Sequence, residues 1–100
     1  MILRVFIVED EEMIRKGLVY TVDWSAMNCM VAGSAADGRE GLNGILEKKP
    51  DVVITDIRMP EMDGLEVLRR TRENHIAIPV MLLTAKFHCP GSSRSLWREN

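Results

Sequence analysis

The sequence predicts an α/β fold, a parallel sheet with helices packed on both of its faces. Three observations carry that prediction. Short apolar runs rich in β-branched residues recur along the chain, and such runs read as strands buried on both sides. Between them lie segments whose apolar residues fall three or four apart, the helical spacing. The connections are short, and strand-helix alternation of this kind implies right-handed crossovers. One hundred residues suit a single domain, and 46% apolar against 28% charged is a globular composition.

The first run, Leu3, Val5, Phe6, Ile7 and Val8, stops at four acids, Glu9-Asp10-Glu11-Glu12. Ile14, Leu18 and Val22 then fall four apart, with Met13, Gly17 and Tyr20 beside them. The acids suit the positive end of that helix's dipole. Asp23-Trp24-Ser25 reads as a linker to a shorter strand at Cys29-Met30-Val31-Ala32. Asp37 and Glu40 form a capping-box pattern that opens a second helix with Leu42, Ile45 and Leu46 inward. Gly38, Gly41 and Gly44 weaken this helix, since an interior glycine costs about 1 kcal/mol. Pro50 ends it, and residues 51–55 form a strand of the buried type. A loop at residues 56–62 precedes Asp63, which caps a third helix with Glu66 at its third position and Leu65, Leu68 and Thr71 on one face. Residues 79–83 make a fourth strand, closed by Thr84 and Ala85. After Lys86 the chain turns to Pro-Gly-Ser-Ser chemistry without a period, apart from one short turn at Leu96, Trp97 and Arg98. Residues 1–86 therefore form the expected domain and residues 87–100 an irregular tail.

Composition excludes several function classes. The net charge is −2, with six basic and eight acidic groups in the first fifty residues and seven of each in the second. No block of like charge favours direct nucleic-acid or membrane-surface binding. The apolar runs are a few residues long, against the roughly 20 needed to span a bilayer. The N-terminus lacks a signal-peptide pattern, and Cys29 and Cys89 are too few for a disulfide scaffold. A reduced, cytoplasmic setting is expected.

In open α/β sheets, ligands sit at the carboxyl ends of the strands. Those ends here carry Glu9 and Asp10 after the first strand, Asp56 after the third and Thr84 after the fourth. If the first and third strands are neighbours, three carboxylates converge in one crevice, and like charges that close call for a cation. Hard oxygen ligands favour Mg²⁺, which takes one or two carboxylates and keeps several waters. A carboxylate beside Mg²⁺ is also a competent nucleophile towards phosphorus, with the metal and a nearby hydroxyl or amine offsetting charge on the phosphoryl oxygens. Each residue alone has a plainer role: a strand-end Asp is commonly a turn residue, and an acidic run is commonly a solvated helix start. Their joint placement at one edge is what raises the functional reading.

Val8-Glu9-Asp10-Glu11, the stretch Val53-Ile54-Thr55-Asp56-Ile57-Arg58-Met59-Pro60-Glu61-Met62-Asp63-Gly64-Leu65-Glu66 and the ending Leu83-Thr84-Ala85 resemble the receiver domain of two-component response regulators. Residues 14–24 resemble receivers that precede an AraC-type DNA-binding domain. The resemblance covers about residues 2 to 86. It implies a flavodoxin-like doubly wound sheet and a signalling module rather than an enzyme. It makes Asp56 the phospho-acceptor and a sensor histidine kinase the donor. Asp10 would ligate Mg²⁺ directly, Glu9 through water or its longer arm, and Asp56 and the backbone carbonyl of Arg58 would complete the set. Thr84 would be the switch hydroxyl. Pro60 and Gly64 would shape the loop beneath the acceptor, Gly64 by adopting a positive φ. Met59, Met62 and Met81 are expected to pack, and His75 and His88 to lie on the surface.

The chain departs from the family pattern of five strands and five helices. Four strands and three helices are expected, a C-terminally truncated receiver without the lysine of a fifth strand, for which Lys86 is a poor substitute. An unpaired edge on the fourth strand and uncovered apolar surface invite association, so either homo-oligomerisation through that edge or marginal stability is expected. Two alternatives remain open. One is a receiver-derived structural fragment that self-associates without phosphorylation signalling. The other is a Mg²⁺-dependent phosphatase of another α/β family, disfavoured because Arg58, not Asp, stands two residues past Asp56.

Overall fold

A computed structural model of the chain describes residues 1–74 and 76–83. The expectations for His75, Thr84, Ala85, Lys86, His88, Cys89 and the tail at 87–100 lie outside the described residues. In chain order the elements are β1 (Leu3–Val8), α1 (Glu12–Tyr20), β2 (Cys29–Ala35), α2 (Gly38–Lys48), β3 (Val52–Asp56), α3 (Gly64–Glu73) and β4 (Val80–Leu83), with a 3₁₀ turn at Trp24–Met27 between α1 and β2. The four described strands pair in parallel in the order β2-β1-β3-β4. This is the predicted doubly wound, flavodoxin-like sheet.

Alternation along β1 divides the core into two layers. Phe6 and Val8 join Ile45 of α2, Val67 of α3, Val53, Met59 and Ile78 on one face. Val5, Ile7 and Ile54 face the other way, towards Leu18 and Val19 of α1 and Trp24. The Trp24 indole donates to the Leu18 carbonyl at 2.8 Å, so the expected linker is a packed turn whose polar atom is satisfied. Asp23 caps it, accepting from the Ala26 amide. No helix among the described residues is long and apolar enough to cross a membrane.

Several local expectations change. β2 runs on to Ala35 because residues 33–35 pair with residues 6–8 of β1 after a register shift between Val5 and Phe6; tertiary pairing overrides the weak strand propensity of Gly-Ser-Ala. On α3 the inward residues are Gly64, Val67 and Thr71. Leu65 is 52% exposed, since the helix starts at Gly64 and its stripe runs from there in steps of three and four. Met59 packs in the core as expected and Met62 lies against it, whereas Met81 on β4 is 56% exposed.

The glycine-rich α2 is a full eleven-residue helix, with the Asp37 carboxylate accepting from the Glu40 amide at 2.8 Å. Its glycines are contact points. A Cβ at Gly44 would fall 2.3 Å from the Phe6 ring, and one at Gly41 2.7 Å from Val8. The lost helix propensity permits a close approach of α2 to β1. Gly44→Ala is therefore expected to destabilise the protein by about 2 kcal/mol through overpacking, although alanine is the better helix former. Gly17→Ala in α1, where a Cβ meets nothing within 4 Å, is expected to stabilise by up to about 1 kcal/mol. Urea unfolding of the two variants checks the contrast, and stabilisation by both would refute the packing explanation.

Candidate functional site

The register of β1 against β3 sets the site. Val8 lies opposite Thr55, so the residues that follow them, Glu9 and Asp56, emerge level at the carboxyl edge of the sheet. One carboxylate oxygen from each of Glu9, Asp10 and Asp56 lies within 4.8 Å of the others. Glu9 and Asp56 are buried, at 1% and 0% exposure, and Asp10 is half-buried. Full negative charges at that separation repel by on the order of 3 kcal/mol at an effective dielectric constant of about 20. The donor set is all hard oxygen, and it fits a small hard cation such as Mg²⁺.

Backbone contacts fix Glu9. The Glu9 amide donates to the Ala35 carbonyl of β2 at 3.0 Å. The Glu9 carboxylate accepts from the Glu11 amide at 2.9 Å, and the Glu9 carbonyl accepts from the Arg15 guanidinium at 2.8 Å. Glu11 is the N-cap of α1 and makes no side-chain cap bond of its own. The acidic run thus builds the turn from β1 into α1, and its first two residues, Glu9 and Asp10, join the carboxylate cluster.

The loop after β3 closes beneath Asp56. Asp56 is the last residue of β3, one position beyond the strand expected from sequence. The Thr55 hydroxyl donates to the Asp56 carbonyl at 3.1 Å, and the Gly64 amide donates to the Ile57 carbonyl at 2.8 Å. A Cβ on Gly64 would sit 2.2 Å from the Asp56 carbonyl oxygen. None of the described glycines has a positive φ, so close approach, not left-handed backbone, is what Gly64 supplies. The left-handed residue of this loop is Glu61, at φ 66°. Gly38 at the start of α2 abuts the same loop, because a Cβ there would meet the Met62 carbonyl at 2.1 Å. Asp63 caps α3 as predicted, accepting from the Glu66 amide at 2.9 Å. Hydrogen bonds from Arg69 and Arg70 hold the Glu66 carboxyl down to about 2. Arg58 is exposed in the loop.

Glu9, Asp10 and Asp56, the three carboxylates singled out in the sequence, are therefore brought together, while Thr84 lies outside the described residues. Sequence reasoning missed Arg15, Thr55 and Gly38. Of these, Arg15 had a signal: a basic residue one turn into α1 sits within reach of the end of β1.

The sequence matches the response regulator receiver domain family over residues 5–96. It is 34% identical over 83 residues to the alkaline phosphatase synthesis transcriptional regulatory protein PhoP of Bacillus subtilis, covering 83% of this chain and 33% of PhoP. Its fold is similar to the signal receiver domain of NarL from Mycobacterium tuberculosis, with a TM-score of 0.77 and 31% identity over 98% of this chain and 77% of that one. It is also similar to a chain in the CheX–CheY–BeF₃–Mg²⁺ complex of Borrelia burgdorferi, with a TM-score of 0.73 and 29% identity over 83% of this chain and 62% of that one. The chain spans about a third of the length of curated relatives such as PhoP.

Proposed function

The chain belongs to the receiver-domain family of two-component response regulators, and from that membership we propose that Asp56 accepts a phosphoryl group from a sensor histidine kinase in a Mg²⁺-dependent phosphorelay. The observation that carries the proposal is the convergence of Glu9, Asp10 and Asp56 within 4.8 Å at the carboxyl edge of the sheet. Receivers are signalling modules, and no catalytic turnover beyond the chain's own phosphorylation is invoked.

An Asp56 carboxylate oxygen attacks the phosphorus of the kinase phosphohistidine. The new O–P bond forms as the P–N bond breaks, and the imidazole keeps the electron pair and takes a proton. Asp56 is left as a mixed anhydride. Burial in a fixed strand end holds the nucleophile in place, so little positioning entropy is lost at the moment of transfer. Glu9, Asp10, Asp56 and the backbone carbonyl of Arg58 would hold Mg²⁺, which when bound offsets negative charge on the phosphoryl oxygens. Thr84 is the proposed switch hydroxyl. The proposed setting is the cytoplasm, and the proposed output, in a longer protein, is transcription through an AraC-type DNA-binding domain.

Beryllofluoride, which mimics a phosphoryl group on a carboxylate, tests the site. With Mg²⁺ present it is expected to bind the wild-type chain and not Asp56→Asn; equal binding by the two would reject the proposal.

A second reading rests on β4, which ends the strand order among the described residues and exposes Met81. We propose that a second copy pairs along that edge. Sedimentation at micromolar concentration is expected to show a dimer, and a monomer there would overturn this reading. A dimer indifferent to Mg²⁺ and to Asp56 substitution, together with absent beryllofluoride binding, would favour a structural fragment over a signalling module.

A further inference from the structure

We propose that Arg15 is a positioning residue for the carboxylate cluster, acting on the metal through the backbone of Glu9. The inference rests on the Mg²⁺ site proposed above. Arg15 is the fourth residue of α1 and is half-buried, and helical side chains tilt towards the N-terminus of their helix. Its guanidinium reaches back to donate to the Glu9 carbonyl at 2.8 Å. Its own amide donates to the Glu11 carbonyl at 2.9 Å. The Glu11 amide in turn donates to the Glu9 carboxylate at 2.9 Å.

These three bonds close a ring through residues 9, 11 and 15. The ring fixes both the backbone of Glu9 and one oxygen of its carboxylate. Asp10 is the next residue, so the same clamp sets the direction in which the second carboxylate leaves the strand. An arginine suits this position because its planar fork is always charged and loses little freedom per hydrogen bond.

Two effects of Arg15 on a bound cation oppose each other. Its positive charge repels Mg²⁺, so deleting the charge alone would tighten binding. Its clamp holds the ligands in place, so deleting the clamp would weaken binding. Groups that orient metal ligands typically change affinity by 10–100-fold when removed, and the geometry of the closed ring makes the clamp the larger effect. The sign of the change therefore separates the two.

The test is titration of Mg²⁺ alone by calorimetry into the wild type, Arg15→Ala and Arg15→Lys, with urea unfolding of each in chelator. Arg15→Ala is expected to bind Mg²⁺ about tenfold more weakly. Arg15→Lys, which can donate to the same carbonyl, is expected to recover most of that loss. Unchanged or tighter binding by Arg15→Ala would overturn the inference while leaving the Mg²⁺ site standing. Equal losses of affinity in both variants that track equal losses of stability in chelator would also overturn it, since Arg15 would then be a fold contact alone. Failure of the wild type to bind Mg²⁺ would overturn both the inference and the site it rests on.

Discussion

Gly64→Ala is expected to destabilise the protein by roughly 3 kcal/mol, the upper end of the cost of overpacking, and to abolish beryllofluoride binding. The added methyl would lie 2.2 Å from the carbonyl oxygen of Asp56 and 3.0 Å from its carbonyl carbon. Those atoms are backbone at the end of a buried central strand, so no side-chain rotation can make room. Either α3 moves away from β3, breaking the Gly64–Ile57 hydrogen bond, or β3 shifts and carries Asp56 out of register with Glu9. The substitution introduces no φ conflict, because Gly64 is not left-handed. Urea unfolding read beside beryllofluoride titration checks both halves. A variant of native stability that still binds beryllofluoride would show that the loop tolerates the methyl.

Asp56→Asn is expected to erase most of the stabilisation that Mg²⁺ gives the wild type. At a hundredfold excess over its dissociation constant a ligand adds about 2.7 kcal/mol to the folded state, which raises the Tm of a domain this size by roughly 10–20 °C. Asparagine preserves the volume of Asp56 and removes one of three negative charges that lie within 4.8 Å. Less mutual repulsion remains for a cation to relieve, and one anionic ligand is gone. In chelator the variant is therefore expected to melt above the wild type, and in saturating Mg²⁺ the order is expected to reverse or close. Melting curves of both proteins in the two buffers decide it. An equal Mg²⁺ shift in both proteins would separate Asp56 from the metal site.

Much of the fold was legible in the sequence because burial on both faces leaves an unmistakable trace. Leu3–Val8 and Val52–Asp56 are near-continuous apolar runs that stop at acids, so both the central strands and the site at their ends could be read. Asp37 and Asp63 cap the helices they were expected to cap. What failed was specific to packing partners that lie distant in sequence. The glycines of α2 read as helix defects in the sequence, because the residues that press on Gly44 and Gly41, Phe6 and Val8, lie more than 30 positions away. The outward turn of Leu65 depends on where α3 starts, and a one-residue change there rotates its face by 100°, the angle per residue of an α-helix. The position of Arg15, one turn into α1, places it near the end of β1, but its partner is a backbone carbonyl, which the residue pattern does not identify.

The central claim is that Asp56 takes the phosphoryl group. The most direct measurement is to incubate the chain with Mg²⁺ and a small phospho-donor such as phosphoramidate, trap the acyl phosphate by borohydride reduction and map the modified residue by mass spectrometry. Modification at Asp56, dependent on Mg²⁺ and absent from Asp56→Asn, is the expected result. No modification, or modification at another residue that persists in Asp56→Asn, would contradict it.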